Sequence, residues 1–143
     1  MTDRFLWVLD TNTLISRLLV PDGTAAKAVD HALACGVLLV SEATMNELID
    51  VLDRPKFDPY IALADRPEFI RHLGGISRVV TIVRTVQACR DPKDNKFLDV
   101  ALAGGAQAII SGDRDLLALD PFHGIRIVSP VVFMEGLQPR TLW

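Results

Sequence analysis

Cysteine is nearly absent, with two residues among 143. Cys35 and Cys89 form no close-spaced pair and neither has a histidine beside it. That argues against a disulfide framework or a Cys/His zinc site and leaves two small buried hydrophobes in a reducing compartment. Histidine is as sparse: His31, His72 and His123 stand isolated, so zinc chemistry lacks its usual ligands. Long hydrophobic runs are missing as well, and nothing approaches membrane-spanning length. The apolar stretch after Met1-Thr2-Asp3-Arg4 is five residues, too short for the core of a signal peptide, so a cytoplasmic location is expected. Nor is positive charge in excess. Fifteen Lys and Arg against 18 Asp and Glu leave a net charge of −3, which gives no support to a sequence-independent DNA binder. It leaves room for an enzyme that grips a few phosphates locally.

What the chain does have is apolar content in short pieces. Half the residues are hydrophobic and 23% are charged, a balance that suits a packed domain and argues against disorder. With no repeat, low-complexity segment or linker, one domain over residues 1–143 is expected. The apolar runs are unbroken rather than alternating: Phe5–Leu9, Val37–Val40, Val79–Val83, Ala108–Ile110 and Ile125–Val128. Strands buried on both faces, as in parallel sheets, read this way. Helical spacing separates them over Thr24–Ala34, Glu42–Leu52 and Lys93–Ala103, the second stopped by Arg54-Pro55 and the third by Gly104-Gly105. The proline-marked region Lys56–Gly75 predicts one or two short helices. Alternating β and α elements with right-handed crossovers predict an α/β fold, a three-layer α/β/α sandwich around a central parallel sheet. Such sheets bind ligands beyond the carboxyl ends of their strands, where the strand order reverses.

Acidic residues stand at the ends of these elements. Asp10 closes the first apolar run and Asp113 follows Ala108-Ile109-Ile110-Ser111-Gly112. Glu47 sits in the second turn of the helix opened at Ser41, and Asp94 in the first turn of the Lys93–Ala103 helix. With the strands side by side in one parallel sheet, the carboxylates of Asp10 and Asp113 emerge at the same edge. Crowded carboxylates repel each other unless a divalent cation joins them, so a metal site is the leading reading. Each acid also has a plainer one. Asp10 suits a helix N-cap, Thr44 and Glu47 a capping box, Asp91-Pro92-Lys93-Asp94 a well-made helix start, and Asp115 the positive end of a short helix. Glu47 borders the stripe of Met45, Leu48 and Ile49, which directs it along the sheet edge. Asn95 and Asp99 are one helical turn apart and face the same way, so which group of this segment meets a metal stays open.

These residues resemble those of the PIN-domain nucleases over nearly the whole chain. Val8-Leu9-Asp10-Thr11-Asn12 matches the opening motif and Asn46-Glu47-Leu48 the second. Asp91-Pro92-Lys93-Asp94-Asn95-Lys96-Phe97-Leu98 matches the third, and Ile110-Ser111-Gly112-Asp113-Arg114-Asp115-Leu116-Leu117 the fourth. The branch it resembles most is the toxin components of type II toxin–antitoxin pairs, which share the late segment Ile127-Val128-Ser129-Pro130 to Phe133. The resemblance implies a metal-dependent endoribonuclease on a parallel, usually five-stranded sheet, with Mg²⁺ or Mn²⁺ as cofactor. It makes Asp10, Glu47, Asp94 and Asp113 the acidic quartet, with Asp10 and Asp113 as direct ligands. Glu47 and Asp94 then hold metal-bound water or a second ion. Asn12 and Ser111 fall where the family places polar groups around the site, and Asp115 lies beside them. Asn95 or Asp99 is open to part of the third acid's role. Arg17, Lys96 and Arg114 are candidates for RNA phosphate contacts, against the plainer reading of solvated surface charge. The resemblance further implies a cognate antitoxin protein, received near 57–75 or along the helix 24–33, and a homodimer.

The chemistry requires such an arrangement. A phosphodiester is anionic and has a poor leaving group; a divalent ion neutralises the charge and lowers the pKa of bound water. Two rivals differ in one position or one property. The opening motif also resembles the nucleophile motif of haloacid dehalogenase-like phosphatases, but Asn12 stands where the second acid is needed and Glu47 would have no role. A PIN-like scaffold that binds RNA or protein without cutting would have no chemical reason to keep four acids.

Overall fold

The computed structural model describes residues 5–136; Met1-Thr2-Asp3-Arg4 and the end of the expected domain, 137–143, lie outside the described residues. In chain order the elements are β1 (Phe5–Leu9), α1 (Thr11–Leu19), α2 (Thr24–Cys35), β2 (Gly36–Val40), α3 (Glu42–Leu52), α4 (Asp65–Ile76) and β3 (Arg78–Val79). Then follow α5 (Asn95–Gly104), β4 (Ala108–Ile110), α6 (Arg114–Leu117), β5 (Arg126–Val128) and α7 (Pro130–Glu135), with short 3-10 turns at Pro55–Phe57 and Pro92–Asp94. The five strands form one parallel sheet in the order β3-β2-β1-β4-β5. After β3 the chain crosses to the other side of β1. The strand order therefore reverses between β1 and β4, and the crevice beyond their carboxyl ends is the expected ligand position.

Both sheet faces are covered, as the unbroken apolar runs predict. Successive strand residues point to opposite sides. Trp7, Leu9, Leu38, Val40, Ala108, Ile110 and Val128 share one core with residues of α1, α2, α3, α4 and α7. Val8, Leu39, Ile109 and Ile127 share the other with residues of α5 and α6. Trp7 anchors the first layer. It is fully buried, stacks on Phe5 with ring centroids 5.0 Å apart, and meets Phe133 edge-on at 5.1 Å. Its indole N–H donates to the Ala32 carbonyl at 3.0 Å, so the polar end is satisfied.

Three expectations change in detail. The predicted strand Val79–Val83 pairs only at Arg78–Val79, with Val80 N–H adding one bond to the Val40 carbonyl at 2.7 Å. Its neighbour β2 stops at Val40 because Ser41 turns the chain into α3, and no strand remains beyond that point to pair with. The predicted helix Lys93–Ala103 divides into the 3-10 turn and α5, ended by Gly105 in the left-handed conformation (φ 71°). Cys35 is exposed at the last position of α2, whereas Cys89 is buried as expected. Within the proline-marked region α4 is a 12-residue helix, with Pro67 tolerated in its first turn. Among the described residues, no helix is long and apolar enough to cross a membrane.

Helix α2 runs into β2 without a loop, and this junction demands glycine for space rather than for backbone conformation. Gly36 has an extended backbone (φ −158°). A Cβ there would lie 2.3 Å from the Phe5 carbonyl oxygen and 2.7 Å from Trp7 Nε1. Gly36→Ala is therefore expected to destabilise the fold by about 3 kcal/mol, the upper end for overpacking, since backbone must move. Gly74→Ala meets nothing within 4 Å in α4 and is expected to stabilise by about 0.5–1 kcal/mol. Denaturant midpoints of the two variants check both.

Candidate active site

Asp10 follows β1 directly and is 5% exposed. Its Oδ1 accepts the Thr13 backbone N–H at 3.0 Å, capping α1, and its Oδ2 accepts the Ser111 hydroxyl. Ser111 follows β4 and is fully buried; its oxygen in turn accepts the Asp113 N–H at 2.9 Å. One hydroxyl thus joins the tips of β1 and β4 at the point where the strand order reverses. Asp113 caps α6 through Oδ1, which accepts the Asp115 N–H at 2.7 Å. The plainer reading of Asp10 as a cap is correct, Asp113 is a cap as well, and both carboxylates keep lone pairs for another partner.

Asp94 closes the 3-10 turn and precedes α5, yet its side chain caps nothing; Asp91 accepts the Lys93 N–H instead. The Asp94 carboxyl is hydrogen-bonded to Asp113, and its Oδ2 is buried with no partner. Burial first, then the Asp113 hydrogen bond and the charges of Asp113, Asp91 and Asp10, push Asp94 up from its ordinary 3.8 to about 7. Asp10 is raised too, chiefly by burial and further by Asp113, against hydrogen bonds from Ser111 and Thr13 that lower it. Cys89 stays a thiol, held up by its burial and by the charges of Asp94, Asp113 and Asp115.

Glu47 is oriented differently from the expected capping box. Ser41 and Thr44 form the box of α3 between themselves, which leaves the Glu47 carboxylate unclaimed by the helix start. It accepts the Thr11 hydroxyl on Oε2 and pairs with Lys96 Nζ at 2.5 Å on Oε1.

Among the described residues, no three His, Cys, Asp or Glu side chains converge closely enough to cage a metal ion. The donor set still fits a hard ion that keeps its own water, since Mg²⁺ is commonly held by one or two carboxylates. Asp94 and Asp113 are such a pair, and the orphaned Asp94 oxygen is a ligand atom without a partner.

A family model described as PIN domain matches residues 7–115. The chain belongs to the PIN-domain family. Members of this family are generally nucleases that use divalent metals. The uncharacterized protein MJ1680 of Methanocaldococcus jannaschii is 33% identical over 116 residues, 78% of this chain and 73% of that protein. The fold is similar to that of PAE2754 from Pyrobaculum aerophilum, with a TM-score of 0.60 at 15% identity over 92% of this chain and 88% of the other. It is also similar to VapBC2 from Rickettsia felis bound to a DNA fragment from their promoter. There the TM-score is 0.58 at 8% identity, over 87% of this chain and 98% of the other.

The remaining candidates of this PIN domain are placed as follows. Asn12 is exposed in the first turn of α1, and Asp115 lies half-buried in α6 beside the exposed Arg114. Arg17 pairs with Asp30 at 2.8 Å, tying α1 to α2. Asn95 and Asp99 lie one turn apart on α5, and both bond the backbone of one neighbouring segment. Asn95 Oδ1 accepts the N–H groups of Ala88 (3.2 Å) and Cys89 (2.8 Å), and Asp99 Oδ1 accepts that of Val86 at 2.7 Å. They hold the segment that leaves β3 against α5, because that segment has no strand to pair with. Thr11 was not anticipated as a site residue. Its signal was its position beside Asp10, at the first turn of α1.

The Asp94–Asp113 pair carries a pH consequence. The folded chain keeps the Asp94 proton up to about pH 7, whereas a carboxyl at its ordinary value of 3.8 releases it earlier. The folded state therefore binds more protons, and the resulting stability is full below about 3.8 and lost as pH rises through about 7. Metal-free protein is expected to melt at lower temperature at pH 8 than at pH 5.5, and Asp94→Asn to flatten that dependence. Thermal melts across this range decide it.

Proposed function

We propose that this protein is a metal-dependent endoribonuclease and the toxin of a toxin–antitoxin pair, acting on RNA with Mg²⁺ or Mn²⁺. The observation that carries this reading is the Asp94–Asp113 carboxyl pair at the β1/β4 crevice, with an Asp94 oxygen buried and unpartnered. Like charges held this close and half-buried are kept ionised by a cation. Membership of the PIN-domain family supports nuclease chemistry, and likeness to the VapBC2 structure supports a toxin role.

Asp94 and Asp113 would hold the ion, with Asp10 beside them. Bound there, it would supply positive charge to the phosphate and lower the pKa of a water. The chain's own groups do the rest. Ser111 fixes the distance between the β1 and β4 carboxylates by bonding Asp10 and the Asp113 backbone together. Thr13 and Asp115 N–H groups orient Asp10 and Asp113 through their helix caps. Arg114, exposed beside Asp113, would meet a phosphate of a bound strand. In this reading the domain spans residues 1–143, acts in the cytoplasm as a homodimer and is held in check by a cognate antitoxin.

The test is cleavage of structured and unstructured RNA with Mn²⁺ by the wild type and by Asp113→Asn. Loss of ~100-fold is expected for the variant, the upper end for changes around a metal site, with circular dichroism showing it still folded. An Asp113→Asn protein that cuts as well as the wild type rejects the reading. So does a wild type that binds RNA without cutting any of it, which would favour a binding scaffold.

A further inference from the structure

Glu47 differs from the other three acids in one respect: it already has a cation. Lys96 Nζ stands 2.5 Å from Oε1 and the Thr11 hydroxyl donates to Oε2, so both oxygens are engaged. The two charged side chains are only 24% and 22% exposed, well removed from the solvated surface pairs that contribute little. Their anchors belong to the site. Thr11 follows Asp10 directly, and Lys96 is two residues beyond Asp94 at the start of α5. The acids thus fall into two groups. Asp10, Asp94 and Asp113 interact electrostatically with one another and include an oxygen with no partner, whereas Glu47 is neutralised by the chain itself.

Two-ion phosphodiester hydrolases place their cations about 3.5–4 Å apart, one serving the attacking oxygen and one the leaving oxygen. A lysine fixed at one of those positions supplies the charge but brings no coordinated water. We propose that Lys96 is the resident second cation of this site, so that each chain takes a single divalent ion, at the Asp94–Asp113 end. This rests on the metal-dependent reading above. It gives Lys96 a different task from a free phosphate contact: Glu47 and Thr11 hold its ammonium in place before any substrate arrives. A second ion could use Glu47 only by displacing the lysine.

Calorimetric titration of the full chain with Mn²⁺ tests this through stoichiometry, without reference to cleavage. The wild type is expected to bind about one ion and Lys96→Met about two, because Glu47 is then left without a cation. Adding Glu47→Gln to Lys96→Met is expected to return the count to about one, and Lys96→Arg, which keeps the charge, to leave it there. If thermal melts show Lys96→Met to be unfolded, Lys96→Gln takes its place. Two ions in the wild type, or an uncharged Lys96 variant that remains at one, overturns the proposal. Asp113→Asn separates it from the reading on which it rests. Wild-type binding that Asp113→Asn abolishes while Lys96→Met changes nothing removes the lysine's role alone. A wild type that binds no Mn²⁺ removes both.

Discussion

Asp94 is held against Asp113 and partly out of water, which keeps its proton far above the ordinary carboxyl range, and the site is arranged around that contact. The strand order brings β1 and β4 side by side, so Asp10 and Asp113 emerge at neighbouring tips. The turn before α5 then delivers Asp94 against Asp113. A fold under no demand beyond stability would separate such groups or give each a counter-ion, since burying an uncompensated charge is costly. This chain does so for Glu47, with Lys96, and not for Asp94. The contrast separates an acid neutralised by the chain itself from one that is not.

Capping uses only part of these carboxylates. Asp10 and Asp113 each give an oxygen to a backbone N–H of the helix they begin. A carboxylate fixed in this way loses rotamer freedom during folding rather than on binding, which favours a preformed site. Asp94, which caps nothing, depends for its orientation on the turn made by Asp91 and Pro92 and on Asp113 itself.

What could be read from the sequence followed from local rules. Unbroken apolar runs gave a parallel sheet because burial on both faces leaves no polar alternation, and acids at the ends of Phe5–Leu9 and Ala108–Ile110 had to share an edge once those strands were parallel. The errors arose where a residue's role depends on something distant. Val79–Val83 has the β-branched composition of a strand, but composition does not register that β2 ends at Val40. Asn95 and Asp99, read as candidates for the site, also carry the backbone of Val86, Ala88 and Cys89, a second task that no local pattern signals. Lys96 and Glu47 are 49 positions apart, and nothing in either neighbourhood announces that they meet. Thr44 completing the cap with Ser41 freed Glu47 from the role its spacing suggested.

The hydroxyl that links Asp10 to the far side of the site belongs to a residue 101 positions later. During synthesis β1 leaves the ribosome first, but its neighbour β4 and the turn bearing Asp113 follow only after β2, β3 and α5. Contacts between such distant segments form late, since a long loop must close before they are rewarded. The crevice is therefore absent from the growing chain while most of the domain is being made. Nothing that depends on this crevice can begin until β4 and the turn after it have been made.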